Sequence, residues 1–275
     1  MRKILEECIT VGGSLHGDNF LAKSRDRNYV PHVSIHREVT PGGLELVYLH
    51  DEDTDYMEGM NSSGIGIVNS ALLVGDDEKA VKGKVKSKDG AIMRKALECD
   101  SLQDCIKTLI SYQEGIKGHT IVGNGDVIYT IEMTSKHNPI IKKVKNLDQE
   151  NIVRTNHGVD HKGAGYTPKR KPDDFISSQV RKATAEVQVA GAENFDEVAP
   201  ALTVPMFDPN SNYNMSRRTD NMRTRSQCAM NLGKKHFHFY YFPGECEYLG
   251  FNNHCDGGYK PQIQVKIVKY IPKKK

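Results

Sequence analysis

Cys8 stands near the start of the chain, in the stretch EECITVGGS, and an Arg-Asp pair follows at Arg25 and Asp26. The runs CITVGG and NFLAKSRD are typical of two short strands, and Gly17 and Asp18 between them supply a turn. A hairpin brings its two ends together, so a thiol, a guanidinium and a carboxylate can share one edge of a sheet. A cation near a thiol favours the thiolate, and it can also hold a substrate carboxylate.

Cys8 lies close to the start of the chain without occupying it, and this position has two interpretations. While Glu7 is bonded to Cys8, the nitrogen of Cys8 is an amide and cannot act as a base. If Met1–Glu7 is removed as a leader, the freed α-amine, with a reference pKa of about 8, can take the thiol proton. Asp26 can then orient that amine. The other interpretation is that the first residues are an ordinary terminal segment and Cys8 is a buried thiol.

Six segments in series extend the pattern along the chain. They are CITVGG with LAKSRDRN, EGMNSSGIGIVNSAL, IMRKALECDSLQDCIKTL, GHTIVGNGDVIYTIEM, VRTNHGV and SSQVRKAT. In this order, from residue 8 to residue 185, they resemble the cysteine-type N-terminal nucleophile hydrolases. Within that family the similarity is to choloylglycine hydrolase, penicillin V acylase, acyl-CoA:6-aminopenicillanate acyltransferase and dipeptidase relatives.

The resemblance implies a role for each matching side chain. Cys8 would be the nucleophile, its freed α-amine would be the base, and Asp26 would orient that amine. Asn156, in RTNH, would donate its side-chain N–H to the oxyanion, and Asn69, in IVNS, would be a weaker second donor. Arg181, in SSQVR, would help to polarise the site. Donors aimed at a developing oxyanion typically contribute about 3 kcal/mol each.

The chain departs from the family pattern around the cation and around the substrate contacts. Relatives with Arg-Asn-x-Asp align the family's arginine with Lys23, whereas others favour Arg25, so both cations stay candidates. Lys23, Asn61 and Asn69 are the expected substrate-binding residues. Ser62 and Ser63 stand where a glutamate is usual after Met-Asn. The acyl and amine parts of the substrate are the properties that these departures affect most.

The order of predicted elements is strands, two helices, strands, a helix and strands, which indicates an α+β fold. Ser101 with Asp104 forms a capping pattern for the second helix, Asn124-Gly125 predicts a hairpin, and the third helix is expected over 177–191. The pattern alone fits two sheets with helices outside as well as it fits a single sheet. The resemblance implies the former, a four-layer αββα sandwich of two antiparallel sheets. We expect residues 8–275 to form one domain.

Composition excludes several classes of function. The net charge is +3, from 38 basic and 35 acidic residues, so no global field favours nucleic acid. No apolar run reaches the roughly 20 residues of a membrane helix. Six scattered cysteines indicate reduced thiols in a cytoplasm-like compartment. Cys246, His254 and Cys255 lack the paired spacing of a zinc site, so no metal and no other cofactor is expected.

The resemblance therefore implies an enzyme that acts on a small linear amide through a thioester on Cys8. The thioester would be resolved by water, as in an amidohydrolase, or by an amine, as in an acyltransferase. The alternative is an inactive member of the fold, or an α+β binding protein that uses the basic loop Lys162–Lys171. Assembly into a homo-oligomer stays open.

Overall fold

The computed structural model describes residues 6–72, 88–111, 116–134, 137–145, 147, 150–204, 206–207, 211–215, 218–219, 222–241 and 263–266. Within these residues the chain forms two seven-stranded sheets, in which every strand pair is antiparallel. The strands are β1 (Glu6–Leu15), β2 (Asp18–Arg27), β3 (Val33–Val39), β4 (Glu45–Asp51), β5 (Tyr56–Asn61), β6 (Gly66–Ser70), β7 (Gly118–Gly123), β8 (Ile128–Thr134), β9 (His137–Lys143), β10 (Ile152–Arg154), β11 (Arg218–Thr219), β12 (Met222–Asn231), β13 (His236–Tyr241) and β14 (Ile263–Lys266). The helices are α1 (Lys88–Leu97), α2 (Leu102–Ser111), α3 (Pro172–Ala190) and α4 (Phe195–Ala201).

The two sheets differ in how the chain builds them. The first sheet has the order β10-β1-β2-β12-β13-β14, with β11 beside β12, so it joins segments from both ends of the described chain. The second sheet runs β3 to β9 in chain order, as a meander. None of the helices in the described part of the chain is long and apolar enough to cross a membrane.

Three apolar clusters fix the order of the layers. Leu21, Ile121 and Phe237 belong to the cluster between the two sheets. A second cluster packs α3 and α4 on the outer face of the first sheet, and a third packs α1 and α2 on the outer face of the second. The layers therefore follow the order α, β, β, α. The predicted αββα sandwich is confirmed, and the single-sheet alternative is wrong.

Local signals in the sequence explain several element boundaries. Ser101 Oγ accepts a hydrogen bond from the backbone N–H of Asp104 at 3.1 Å, as the capping pattern predicts. Asn124 closes the β7–β8 hairpin by accepting the N–H groups of Asp126 and Val127. The third helix begins at Pro172, before the expected residue 177, because proline suits the first turn of a helix and two aspartates follow it.

The β1–β2 hairpin sets the geometry of the candidate site. A two-residue turn at His16 and Gly17, both with positive φ, joins two ten-residue strands. The register pairs Cys8 with Arg25 and Glu7 with Asp26. Glu6 and Glu7, expected to lie in the leader, thus belong to β1, while residues 1–5 lie outside the described residues. Because successive side chains in a strand alternate, Cys8 and Glu7 face opposite sides of the first sheet.

Candidate active site

Cys8, Arg25 and Asp26 lie at the same end of the β1–β2 hairpin, but Asp26 faces the opposite side of the sheet from Cys8 and Arg25. The side chain of Cys8 is 3% exposed, and those of Arg25 and Asp26 are fully buried. The side chains of Cys8, Lys23 and Arg25 lie on the face of the first sheet that packs against the second sheet. The side chains of Glu7 and Asp26 lie on the opposite face, which packs against α3. The peptide bond between Glu7 and Cys8 therefore runs between two different groups of polar side chains.

On the α3 side, Arg181 connects three of the polar groups. Its Nη2 donates to Glu7 Oε2 at 2.9 Å and to Asn156 Oδ1 at 3.2 Å, and its Nη1 lies 3.6 Å from Asp26 Oδ2. Asp26 Oδ1 also accepts a hydrogen bond from Thr224 Oγ1 at 2.6 Å. The structure thus brings Arg181 next to Asp26 and Asn156, three residues that are far apart in the sequence.

Asn156 lies directly beside the bond between Glu7 and Cys8. The backbone N–H of Cys8 donates to Asn156 Oδ1 at 3.4 Å, while Asn156 Nδ2 donates to the carbonyl of Ala71 at 2.9 Å. The backbone N–H of Asn156 donates to Ser178 Oγ on α3 at 2.9 Å, which anchors the residue. In the uncleaved chain the side-chain carbonyl of Asn156 therefore faces the nitrogen of Cys8. Its amide donor points at Ala71.

On the other side of the sheet, the cation that contacts the sulfur is Arg27. Its Nη1 lies 3.8 Å from Cys8 Sγ. Arg25 pairs with Asp51 at 3.0 Å and with Glu58, and Lys23 pairs with Glu58 at 2.9 Å. Sequence reasoning considered Lys23 and Arg25 but missed Arg27. The signal was present, because residues 23, 25 and 27 alternate along one strand and must share a face.

The group around the sulfur is a buried cluster of charges, formed by Lys23, Arg25, Arg27, Asp51 and Glu58. Burial alone would raise the pKa of both carboxyl groups. The neighbouring cations outweigh it and hold the pKa values of Asp51 and Glu58 below their ordinary range, so both are ionised at neutral pH. The cluster holds one more cation than carboxylates. An anionic sulfur at Cys8 would therefore face an excess of positive charge.

The two remaining asparagine candidates have well-defined partners. Asn69 Oδ1 accepts from the hydroxyl of Tyr56, and its Nδ2 donates to Thr120 Oγ1 at 2.8 Å. Asn61 Nδ2 donates to the carbonyls of Leu97 and Cys99 at the end of α1, and its Oδ1 accepts two backbone N–H groups of the β5–β6 turn. These are the contacts of a residue that fixes a turn. The substrate-binding role of Asn61 stays a prediction.

A buried polar network holds the segment that carries Asn156. Glu132 accepts the backbone N–H groups of Val159, Asp160 and His161 at 3.1, 2.8 and 2.9 Å. His119 lies 3.4 Å from the carboxylate of Glu132 and 2.9 Å from the carbonyl of His157. Sequence reasoning missed Glu132, although Ile-Glu at the end of the hairpin is one of the matching segments.

His119 and His157 are neutral at pH 7. Burial lowers the pKa of His119 to about 4 and that of His157 to about 4. The Nδ1 of His157 lies 2.9 Å from Ser178 Oγ and 3.2 Å from Thr155 Oγ1. These contacts anchor the strand end that carries Asn156, in line with the structural role expected for a histidine at this position.

No group of three or more histidine, cysteine or acidic side chains that could hold a metal ion occurs among the described residues. Cys246, His254 and Cys255 lie outside them. In the basic loop Lys162–Lys171, Arg170 donates to the carbonyls of Gly163 and Gly165, and Lys171 Nζ lies 3.9 Å from Asp174. Part of the loop's positive charge is therefore engaged within the chain.

Comparison with known proteins finds similarity among solved structures. No protein-family model and no curated protein matches the chain. Penicillin V acylase from Agrobacterium tumefaciens is 13% identical, with 86% of this chain and 84% of that chain covered and a TM-score of 0.49. A mutant of conjugated bile acid hydrolase from Clostridium perfringens is 10% identical, with 86% and 90% covered and a TM-score of 0.44. By name, both proteins belong to the group that the sequence resembles.

Proposed function

We propose that the chain is an amide hydrolase of the N-terminal nucleophile type, with Cys8 as the nucleophile after cleavage between Glu7 and Cys8. One observation carries the proposal. Asn156 and Arg181 contact the two residues that flank the bond to be cut, and Asp26 lies 3.6 Å from Arg181. Sequence reasoning selected these side chains together with Cys8 from three of the six matching segments, and Asn156 and Arg181 contact the residues on either side of one peptide bond.

The cleavage step follows from the atoms around this bond. Cys8 Sγ attacks the carbonyl carbon of Glu7, so a sulfur–carbon bond forms and the bond to the Cys8 nitrogen breaks. The thiol proton passes to that nitrogen, which becomes an α-amine, and water then hydrolyses the thioester to a Glu7 carboxylic acid and a free thiol. Asn156 Oδ1 already accepts a hydrogen bond from the same nitrogen.

Turnover repeats this chemistry on a substrate amide. The freed amine takes the thiol proton, and the sulfur attacks the substrate carbonyl while Arg27 faces the developing anion. Asn156 Nδ2, which donates to the carbonyl of Ala71 in the uncleaved chain, donates to the oxyanion instead. The amine of the substrate leaves with the proton, and the thioester passes its acyl group to water or, in an acyltransferase, to a second amine.

Intact-mass measurement and cysteine labelling test the proposal. Purified wild-type protein should have lost every residue that precedes Cys8, and peptide mapping should find iodoacetamide on Cys8 ahead of Cys99, which is only partly buried. Cys8→Ala should keep the leader and show no turnover across N-acyl amino acids, β-lactams, bile-salt-like conjugates and dipeptides. Cys99→Ala is the matched control and should be processed normally.

Two results would contradict the proposal. Cleavage before residue 8 that persists in Cys8→Ala would show that Cys8 is not the nucleophile. A retained leader without preferential labelling of Cys8 in the wild type would instead support a catalytically silent binding protein.

A further inference from the structure

We infer that the acyl group of the substrate ends in a carboxylate and that Arg181 and Tyr166 bind this carboxylate. The inference rests on the proposed function and goes beyond it by naming the class of substrate. That class is amides of glutaryl-like acyl groups, in which three carbons separate the reacting carbonyl from a terminal carboxylate.

The starting observation is the way in which the chain binds the side chain of Glu7. Arg181 Nη2 donates to Glu7 Oε2 at 2.9 Å, and the hydroxyl of Tyr166 donates to Glu7 Oε1 at 2.8 Å. Glu7 is 3% exposed, Tyr166 is 3% exposed and Arg181 is fully buried. Charge-assisted hydrogen bonds are among the strongest in proteins. This pair of donors is therefore a built carboxylate site.

The chemistry of self-cleavage ties this site to the substrate. In the proposed cleavage, Cys8 Sγ carries the acyl group of Glu7 as a thioester, and in turnover the same sulfur carries the acyl group of the substrate. Glu7 places three carbons, Cα, Cβ and Cγ, between its carbonyl carbon and its carboxylate. A substrate acyl chain of the same length would reach the same two donors from the same sulfur.

Departure of the leader makes this site available. Once the residues before Cys8 leave, Arg181 and Tyr166 lose the carboxylate that they bind in the uncleaved chain. Arg181 would keep Asp26 as an ion-pair partner at 3.6 Å, and a carboxylate on the incoming acyl chain would replace Glu7 on its Nη2. A neutral acyl chain would offer no carboxylate to Arg181 and Tyr166 in place of that of Glu7.

The position of Tyr166 supports a role near the reacting bond. Its backbone N–H donates to the carbonyl of Asn156 at 3.0 Å, so it is tied directly to the candidate oxyanion donor. The preceding residue, Gly165, has φ +65°, and a Cβ there would lie 2.3 Å from the carbonyl oxygen of Asn156. The glycine allows the two backbones to approach closely, which brings the phenol of Tyr166 to the Glu7 carboxylate.

Two matched anilides test the inference on the processed enzyme. Glutaryl-p-nitroanilide and pentanoyl-p-nitroanilide have acyl chains of the same length and differ in the terminal carboxylate. We expect wild-type kcat/KM to favour the glutaryl compound by about tenfold, as a charge-assisted hydrogen bond would give. Tyr166→Phe should lower this preference at least threefold. The ratio is taken within one preparation, so it does not depend on the fraction of folded enzyme.

The control and the contrary outcomes separate this inference from the proposed function. Tyr213→Phe, at a partly exposed tyrosine, should keep the wild-type preference. Equal cleavage of both anilides, or a preference that Tyr166→Phe leaves unchanged, would overturn the carboxylate site while the hydrolase proposal stands. If a processed enzyme cleaves neither anilide, the rate of Cys8 alkylation by iodoacetamide is measured in the presence of glutarate or of pentanoate. Slower alkylation with glutarate alone supports the carboxylate site, and equal alkylation rates with the two acids overturn it. A chain that retains its leader would contradict the proposed function itself.

Discussion

Arg27 brings a guanidinium within 3.8 Å of the Cys8 sulfur, in a region where every neighbouring charge is buried. Asp51 and Glu58 carry the negative charges of this cluster. Lys23 and Arg25 bind them, and Arg27 Nε lies 3.5 Å from Asp51 Oδ2. Because the cluster holds three cations and two carboxylates, an anionic sulfur beside Arg27 would adjoin a net positive charge. At the scale of single residues, reactivity at Cys8 should therefore depend on Arg27.

The test replaces the charge and keeps most of the volume. In processed protein, Arg27→Met should slow the reaction of Cys8 with iodoacetamide by about tenfold, because it removes the guanidinium that lies 3.8 Å from the sulfur. Arg27→Lys should recover part of the rate. The labelling rate of Cys99 in the same samples serves as an internal reference for folding. Equal Cys8 rates in wild type and Arg27→Met would show that the cation plays no part.

The residues of the site were predictable to different degrees. Cys8 and Asp26 follow from a short hairpin, whose register depends on local turn chemistry. Asn156 and Arg181 came from a resemblance, because nothing local indicates that residues 130 or more positions downstream return to β1. Arg27 was overlooked because adjacent Arg-Asp residues suggest a pair, although they face opposite sides of a strand.

At the scale of elements, the segment that follows β10 positions both Asn156 and Tyr166. Glu132 binds three backbone N–H groups of residues 159–161, and Ser178 on α3 binds the N–H of Asn156. The close approach at Gly165 completes the arrangement. The sequence predicted only a loop here. Its path depends on partners from β8 and α3, which local propensity does not encode.

Two glycines of this segment form a matched pair for a test of backbone approach. Gly165 and Gly163 both have positive φ, but a Cβ at Gly165 would lie 2.3 Å from the Asn156 carbonyl oxygen, whereas nothing lies within 4 Å of a Cβ at Gly163. We expect Gly163→Ala to lower the free energy of unfolding by about 1 kcal/mol, from backbone strain alone. Gly165→Ala should lower it by about 2 kcal/mol more and should slow the self-cleavage.

Urea denaturation and the rate of leader loss check this expectation. Equal effects of the two substitutions on both quantities would indicate that the contact between Gly165 and Asn156 does not matter.

At the scale of the whole molecule, four layers bury the site on both faces of the first sheet. Its cation cluster lies between the two sheets, and its Asp26–Arg181 pair lies between the first sheet and α3. The helical and strand periods in the sequence predicted many of the elements, although not β3 or β9. They could not predict that β12 lies beside β2, some 200 residues away, because strand alternation indicates a buried face but not the partner strand. That pairing places Thr224 on Asp26 and completes the first sheet around Cys8.

The buried histidines make the stability of the whole molecule depend on pH. Burial lowers the pKa of His119 and of His157 from an ordinary 6.5 to about 4. As the pH falls below about 6.5, the unfolded chain takes up protons at these residues before the folded chain does. The stabilisation is therefore complete above about pH 6.5 and is lost as the pH falls towards 4.

Urea denaturation at pH 7.5 and pH 5 measures this loss. His119→Gln keeps an N–H donor for the carbonyl of His157 and removes the titrating ring. The drop in unfolding free energy between the two pH values should be smaller in this variant than in the wild type, by about 2 kcal/mol. His32→Gln, at a side chain that is 81% exposed, should keep the wild-type drop. If the unfolding free energy of His119→Gln drops between pH 7.5 and pH 5 by as much as that of the wild type, the buried His119 imidazole does not cause the acid sensitivity, which must then arise elsewhere in the molecule.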